Sequence, residues 1–239
     1  MRAFIVAAGK GRRLAPFTLH KPKNLAPILN KSIFEHQLDF LSRQGISKVD
    51  IVVSIGDPNE VESIARKKGF ESCCALINSS WRETWDYALR NFTGETIIIM
   101  DCDLLLAKAW EGGIIAHKAC KADITLFAYN SPCIEDGQSG KVTWIKEKDG
   151  LITGYQLSNA SGYKMLREIG VSVIEWETLQ LMHQIDMSTN DPWTEEFLPF
   201  ATRKGFRVQA FYGNAYFKDV GTWERINKAQ FDILAGKLG

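Results

Sequence analysis

Two apolar periods alternate along the first hundred positions of the chain. Residues 2–7 (RAFIVA) are apolar after the first position, the pattern of a strand covered on both faces of a parallel sheet. Residues 32–45 (SIFEHQLDFLSRQG) switch to a helical period, with Phe34, Leu38 and Leu41 on one face. Ser32 and Glu35 have the spacing of a capping box, and Gly45 stands where a helix-ending glycine belongs. The same grammar predicts a strand at 49–55 and a helix at 57–69. That helix has Asp57 as its N-cap, Pro58 at its first position and Gly69 as its terminator. A strand at 71–77, a helix at 80–92 and a strand at 96–103 (TIIIMDCD) follow.

The later pattern is less regular. Residues 141–157 predict a hairpin turned at Asp149-Gly150. A helix is expected next, then a strand at 170–176 (GVSVIEW) and two further helices. Strands at 206–213 and 215–221 precede a closing helix at 222–236. Strands alternating with helices predict an α/β fold, a Rossmann-like, mixed but mostly parallel sheet flanked by helices, with a small lid subdomain from the later hairpin. Ligands in such sheets bind beyond the carboxyl ends of the strands, where the stretches AAGKGRR and DCD both fall.

Charge and cysteine usage narrow the classes. The formal net charge is +1, from 29 basic and 28 acidic residues, so a broad basic surface for nucleic acid is not expected. No run approaches the ~18 apolar residues needed to span a bilayer, and the first apolar run is too short for a signal segment. Cys73, Cys74, Cys102, Cys120 and Cys133 show no CxxC spacing. They are read as free thiols of a cytoplasmic protein.

The candidate chemistry starts at residues 7–28 (AAGKGRRLAPFTLHKPKNLAPI), where Gly9 and Gly11 stand among Lys10, Arg12, Arg13 and Lys23. A glycine-rich turn after a buried strand exposes backbone N–H groups that can cradle phosphate, and arginine adds bidentate contacts. By spacing alone this is either such a loop or a solvated basic one. It is neither a P-loop nor a dinucleotide fingerprint, because Leu14 stands where the third glycine would be.

The stretch resembles the signature of the sugar-phosphate nucleotidylyltransferases, roughly LAAGxGTRLxPxTxxxPKxLxPV. It matches from Ala7 through Pro27 and departs at Arg12, where that family has threonine. The resemblance implies a nucleotide-diphospho-sugar transferase fold in one catalytic domain over 1–239. Residues 1–130 would be its nucleotide-binding half and 131–239 its acceptor half. It implies that Ala7, Ala8, Gly9, Lys10, Gly11 and Arg12 form the nucleotide loop, the backbone of the first three facing the base, with Glu83 and Thr84 as further nucleotide-binding candidates. Arg13 would hold the β and γ phosphates and Lys23 the α-phosphate. Asp103 matches the family's metal-binding aspartate after a buried strand. Asp219 matches the second such aspartate, in a DVGTWE segment ending at Glu224. Mg²⁺ is the implied cofactor, and Asp101 is read as structural or as a support for the metal-binding aspartate.

The middle departs from the sugar-1-phosphate pattern. RETWDYAL, with Glu83, Thr84 and bulky Trp85, replaces a GTAxAL-like stretch, and the EKP acceptor motif has no clean counterpart. In these features the chain is similar to phosphocholine-type cytidylyltransferases. CTP and a small phosphorylated alcohol or amine are therefore the expected partners. A UTP-, dTTP- or GTP-dependent sugar-1-phosphate enzyme and a silent nucleotide-sensing module are the alternatives. Trp85, Trp144 and Trp193 are candidate walls for a quaternary ammonium group, whereas Trp176 and Trp223 are read as packing. His20 is the one histidine inside the phosphate loop.

Overall fold

The computed structural model describes residues 1–129 and 141–238. The chain begins with β1 (Arg2–Ala7), three short 3-10 turns and the small ladder of β2 (Pro27–Ile28) with β3 (Lys31–Ser32). Next come α1 (Ile33–Arg43), β4 (Lys48–Val53), α2 (Pro58–Lys67), β5 (Glu71–Leu76), α3 (Trp81–Asn91), β6 (Ile97–Asp101), β7 (Leu104–Leu106), α4 (Gly112–Cys120) and β8 (Ile124–Tyr129). The remainder is β9 (Lys141–Lys148), β10 (Leu151–Gln156), β11 (Lys164–Ile174), α5 (Trp176–Leu179), α6 (Leu198–Arg203), β12 (Val208–Gly213), β13 (Phe217–Asp219) and α7 (Trp223–Leu234).

Nine strands form one sheet in the order β5-β4-β1-β6-β11-β8-β12-β10-β9. β1 pairs in parallel with β4 and β6, and β12 with β8; β11 and β10 run against their neighbours. The mixed, mostly parallel sheet expected from the pattern is present. Its two faces carry separate cores: Ile5, Ile51 and Met100 contribute to one, and Phe4, Ile97 and Leu126 to the other. Alternating burial of this kind follows from the two-residue period of a strand.

The end signals read from the sequence recur in the local geometry. The Ser32 hydroxyl accepts from the Glu35 amide at 3.2 Å, while the Glu35 carboxylate accepts from the Ser32 amide at 2.8 Å. Asp57 caps α2, Gly45 and Gly69 have positive φ, and the Asp149-Gly150 turn has φ of 53° and 78°. Two expectations change. The helix expected before GVSVIEW is instead the first half of β11, which pairs with β9 from Lys164 to Glu168. Lys, Met, Leu, Arg and Glu favour helix in isolation, but strand partners on both sides override that weak preference. The strand expected to reach Asp103 stops at Asp101 and turns, restarting as β7.

Among the described residues no helix is long and apolar enough to cross a membrane. Cys73, Cys74, Cys102 and Cys120 are free thiols; Cys133 lies outside the described residues.

Candidate active site

Four elements bring the candidate residues together at the carboxyl end of β1 and β6. The chain leaves β1 at Ala7 and turns back through Gly11, whose φ is +58°. A Cβ there would lie 2.8 Å from the Thr18 methyl, and the Thr18 hydroxyl donates to the Gly11 carbonyl at 2.8 Å. Only glycine meets both demands. The loop then packs its Leu14, Ala26 and Ile28 against Leu105, Val220 and Ile226. The Trp223 indole N–H donates to the Ala15 carbonyl at 3.2 Å, so the last helix is docked on the first loop.

The two aspartates, far apart in sequence, meet because β13 pairs antiparallel with β7, setting Asp219 opposite Leu104. The Val220 amide donates to the Asp103 carbonyl at 2.8 Å. A Cβ built on Gly221 would stand 2.9 Å from Asp103 Oδ2, 3.0 Å from Asp219 Oδ1 and 3.0 Å from Arg13 Nη2. Gly221 thus leaves open the space on which two carboxylate oxygens and a guanidinium converge. Lys23 Nζ donates to Asp103 Oδ2 at 2.9 Å, and Arg225 Nη1 lies 2.8 Å from Asp219 Oδ2. Burial opposes the charge on Lys23, but Cys102, Asp103 and Asp101 outweigh it and raise its pKa. The ammonium is therefore fully charged at neutral pH.

Asp101, read from the sequence as structural or supporting, lines the cleft beside Asp103. The cleft walls and the neighbouring charge of Asp103 raise the Asp101 carboxyl pKa, although the residue remains open to solvent. Gln37, buried in α1, donates to the Asp101 carbonyl at 2.8 Å and so fixes the end of β6. Gly170, with φ of +76°, passes so close to the Asp101 carboxylate that no side chain fits.

Most of the other expected residues border this centre. Ala8, Gly9 and Thr84 line a narrow pocket with Trp81, while Lys10 and Glu83 line the adjoining one. Ala7 is buried in the core beneath them, and Arg12 is exposed. Glu83 is engaged locally, accepting from the Asn78 amide at 2.7 Å, and the Thr84 hydroxyl donates to the Ser80 carbonyl at 3.0 Å. Their side chains shape the start of α3, leaving backbone and the indole of Trp81 to face the pocket.

Beyond Asp101 the cleft is walled by tryptophan. Trp85 stacks on Trp193 at 5.5 Å between ring centroids and on Trp81 at 6.5 Å. All three line the cleft, along with Glu168, Asp191 and Lys141. Trp144 is not among them, because its register on β9 puts it on the opposite face from Thr143 and Lys141. His20 is exposed, and Trp176 packs in the core as expected. Glu168 is buried, accepting from the hydroxyls of Thr143 at 3.1 Å and of Tyr155; burial raises its pKa. Sequence reasoning missed Trp81, Lys141, Glu168 and Asp191. Only Trp81 carried a usable signal, lying four residues before Trp85 on one helix face.

Among the described residues no three acidic, histidine or cysteine side chains form a closed metal cage. Two carboxylates with open positions are the donor set a hard divalent cation takes when phosphates complete its shell.

Comparison with known proteins bears on the family and the fold. The family model described as "Nucleotidyl transferase" matches residues 2–236. A glucose-1-phosphate adenylyltransferase of Clostridium acetobutylicum is 22% identical, covering 97% of this chain and 67% of its own. A bifunctional sugar-1-phosphate nucleotidylyltransferase/acetyltransferase of Sulfurisphaera tokodaii is 46% identical, covering 98% of this chain and 56% of its own. The chain therefore spans between about half and two thirds of the length of these relatives. In fold it is similar to the inositol-1-phosphate CTP transferase from T. maritima, with a TM-score of 0.76 at 18% identity over 99% and 95% of the two chains. A putative glucose-1-phosphate thymidylyltransferase from Bacillus anthracis gives 0.75 at 12% identity over 97% and 94%.

Proposed function

The chain belongs to the nucleotidyl transferase family, and on that premise we propose that it moves a nucleotidyl group from a nucleoside triphosphate to a phosphorylated acceptor, releasing pyrophosphate. The observation that carries this reading is the convergence of Asp103, Asp219 and Arg13 above Gly221, with Lys23 on Asp103. A phosphate oxygen of the acceptor attacks the α-phosphorus. The bond to the β-phosphate oxygen breaks in line with it. The nucleophile is already an anion, so no general base is required, and the work is positioning and charge neutralisation. Lys23 donates to the α-phosphate oxygens and Arg13 to the leaving pyrophosphate. Asp103 and Asp219 would hold Mg²⁺, which supplies charge neutralisation at the phosphates when bound.

For the acceptor we infer a small phosphomonoester with a cationic group, phosphocholine or a related phospho-alcohol or phospho-amine. Support comes from the cleft beyond Asp101. Trp81 and Trp193 flank the buried Trp85 in its wall, and its lining carries Asp101 and Glu168 beside the Asp191–Lys141 pair. Aromatic faces beside carboxylates favour a quaternary or primary ammonium. For the base we infer cytosine, from the likeness of the middle of the chain to phosphocholine-type cytidylyltransferases; Ala8, Gly9 and Trp81 line the slot that would receive it. A cytoplasmic setting accords with free thiols.

A second reading draws on the relatives' names: a sugar 1-phosphate with UTP, dTTP or GTP. The deciding experiment measures pyrophosphate release with each of five nucleoside triphosphates against phosphocholine, phosphoethanolamine, inositol 1-phosphate and glucose 1-phosphate. Turnover with CTP and phosphocholine is expected. Turnover confined to a sugar 1-phosphate would replace the acceptor reading. Nucleotide binding with no turnover on any acceptor would favour a silent sensing module.

A further inference from the structure

Each carboxylate at the centre is already matched by a cation from its own chain. Lys23 holds Asp103, and Arg225 holds Asp219 from the first turn of α7. Arg225 belongs to no part of the phosphate loop, but its position is well determined. Its amide donates to the Thr222 hydroxyl at 3.2 Å, which fixes where the side chain departs. Asp219 is gripped on both oxygens: Oδ1 accepts from the Gly221 amide at 2.8 Å, and Oδ2 faces Arg225 at 2.8 Å. The oxygen on the Gly221 side is thereby aimed at the same point as Asp103 Oδ2.

This arrangement has two consequences for a divalent cation. The geometry of Asp219 is set before any ion arrives, as a small ion with strict octahedral demands needs. The charge of the site is also cancelled in advance, because an ammonium and a guanidinium stand beside the two carboxylates. A free cation arriving alone meets two positive groups at close range. A triphosphate reverses this, drawing Lys23 and Arg13 toward its oxygens and leaving Asp103 available.

We propose that Arg225 is a positioning residue that orients Asp219 and, with Lys23, keeps the site closed to free divalent cations. Metal and polyphosphate then enter together. The proposal rests on the metal-ligand reading of Asp103 and Asp219, and not on the identity of base or acceptor.

The test is Mn²⁺ binding to the full chain, followed by electron paramagnetic resonance, alone and with α,β-methylene CTP or inorganic tripolyphosphate. Wild type is expected to bind Mn²⁺ at least tenfold more weakly without polyphosphate than with it. Arg225→Gln should tighten binding of the lone ion about tenfold, and Arg225→Lys should return it to the wild-type value. Equal Mn²⁺ affinity with and without polyphosphate overturns the proposal. So does an Arg225→Gln variant that folds like Arg225→Lys by circular dichroism but binds the lone ion no more tightly than wild type. Mn²⁺ retained in Asp219→Asn overturns the ligand assignment and this proposal with it. The expected Mn²⁺ pattern without CTP turnover supports the proposal and overturns the substrate reading alone.

Discussion

Gly221 shows how much of the site depends on one missing methyl group. A Cβ there lies within 3.0 Å of Asp103, Asp219 and Arg13, closer than non-bonded carbon and oxygen tolerate. Gly221→Ala should fold with little loss of stability while turnover falls on the order of a hundredfold. That figure is the usual scale for displacing one preorganised charge-stabilising group. Steady-state rates beside a thermal melt check it, and an alanine variant with full activity rules out the convergence as the reacting centre. Lys23→Met removes the ammonium from the same point, and a fall in kcat of the same order, with KM for the triphosphate little changed, is the expected signature of a group acting on the α-phosphate.

At the scale of elements, the site depends on how α7 is fastened to β13. Asp232 of α7 accepts from Tyr216 at 2.9 Å, and also pairs with Lys237 and with the buried Lys218 of β13. Burial would raise its carboxyl, but Lys218, Lys237 and Tyr216 outweigh that and bring it down to about 2. A depressed carboxylate stabilises the fold above its unfolded pKa near 4, and the contribution is lost as pH falls through about 2. The difference from an ordinary aspartate corresponds to about 2 kcal/mol. Asp232→Asn should therefore lower stability by about 2 kcal/mol at pH 7, with the gap to wild type closing between about pH 4 and pH 2. Denaturant melts across that range measure it; a gap that persists at pH 2 would show the loss to be packing and not charge. The same variant loosens the helix that carries Thr222 and Arg225, so a lower affinity for metal with polyphosphate should accompany it.

In the whole molecule, the tryptophan stack joins α3 to the segment that enters α6. Trp81 and Trp85 come from α3, and Trp193 from the segment entering α6; the Trp81 indole N–H donates to the Asn190 carbonyl at 2.7 Å. Lys141 pairs with Asp191 across the same opening. Trp85 is 1% exposed, and Trp85→Ala should cost about 3–5 kcal/mol, the range for deleting a buried aromatic. Trp193→Ala is the more informative change, because Trp193 is less buried and lines the acceptor cleft. If its face binds a cation, KM for a phosphocholine-like acceptor should rise about tenfold or more while KM for the triphosphate stays within about twofold. An equal rise in both would assign Trp193 to the stack alone.

What was legible from the sequence lay in short segments. Caps, terminating glycines and the period of apolar residues specified α1, α2 and the parallel strands, because those signals act within a few residues. The phosphate-loop candidates and both aspartates were singled out only through resemblance to two family motifs, and the fold brings Arg13, Lys23, Asp103 and Asp219 together around Gly221. Residues 164–169 were misread because helix propensity is a weak local bias, and pairing with β9 and β8 reverses it. Glu168, Asp191 and Lys141 carried no local signal at all. Their place depends on the register of β11 and on the approach of distant segments across the cleft. Only the pairing of β7 with β13 brings Asp103 to Asp219, since contacts between remote segments are decided by the packing of the whole sheet and not by any neighbouring residue; the start of α7 then sets Arg225 on Asp219 alone.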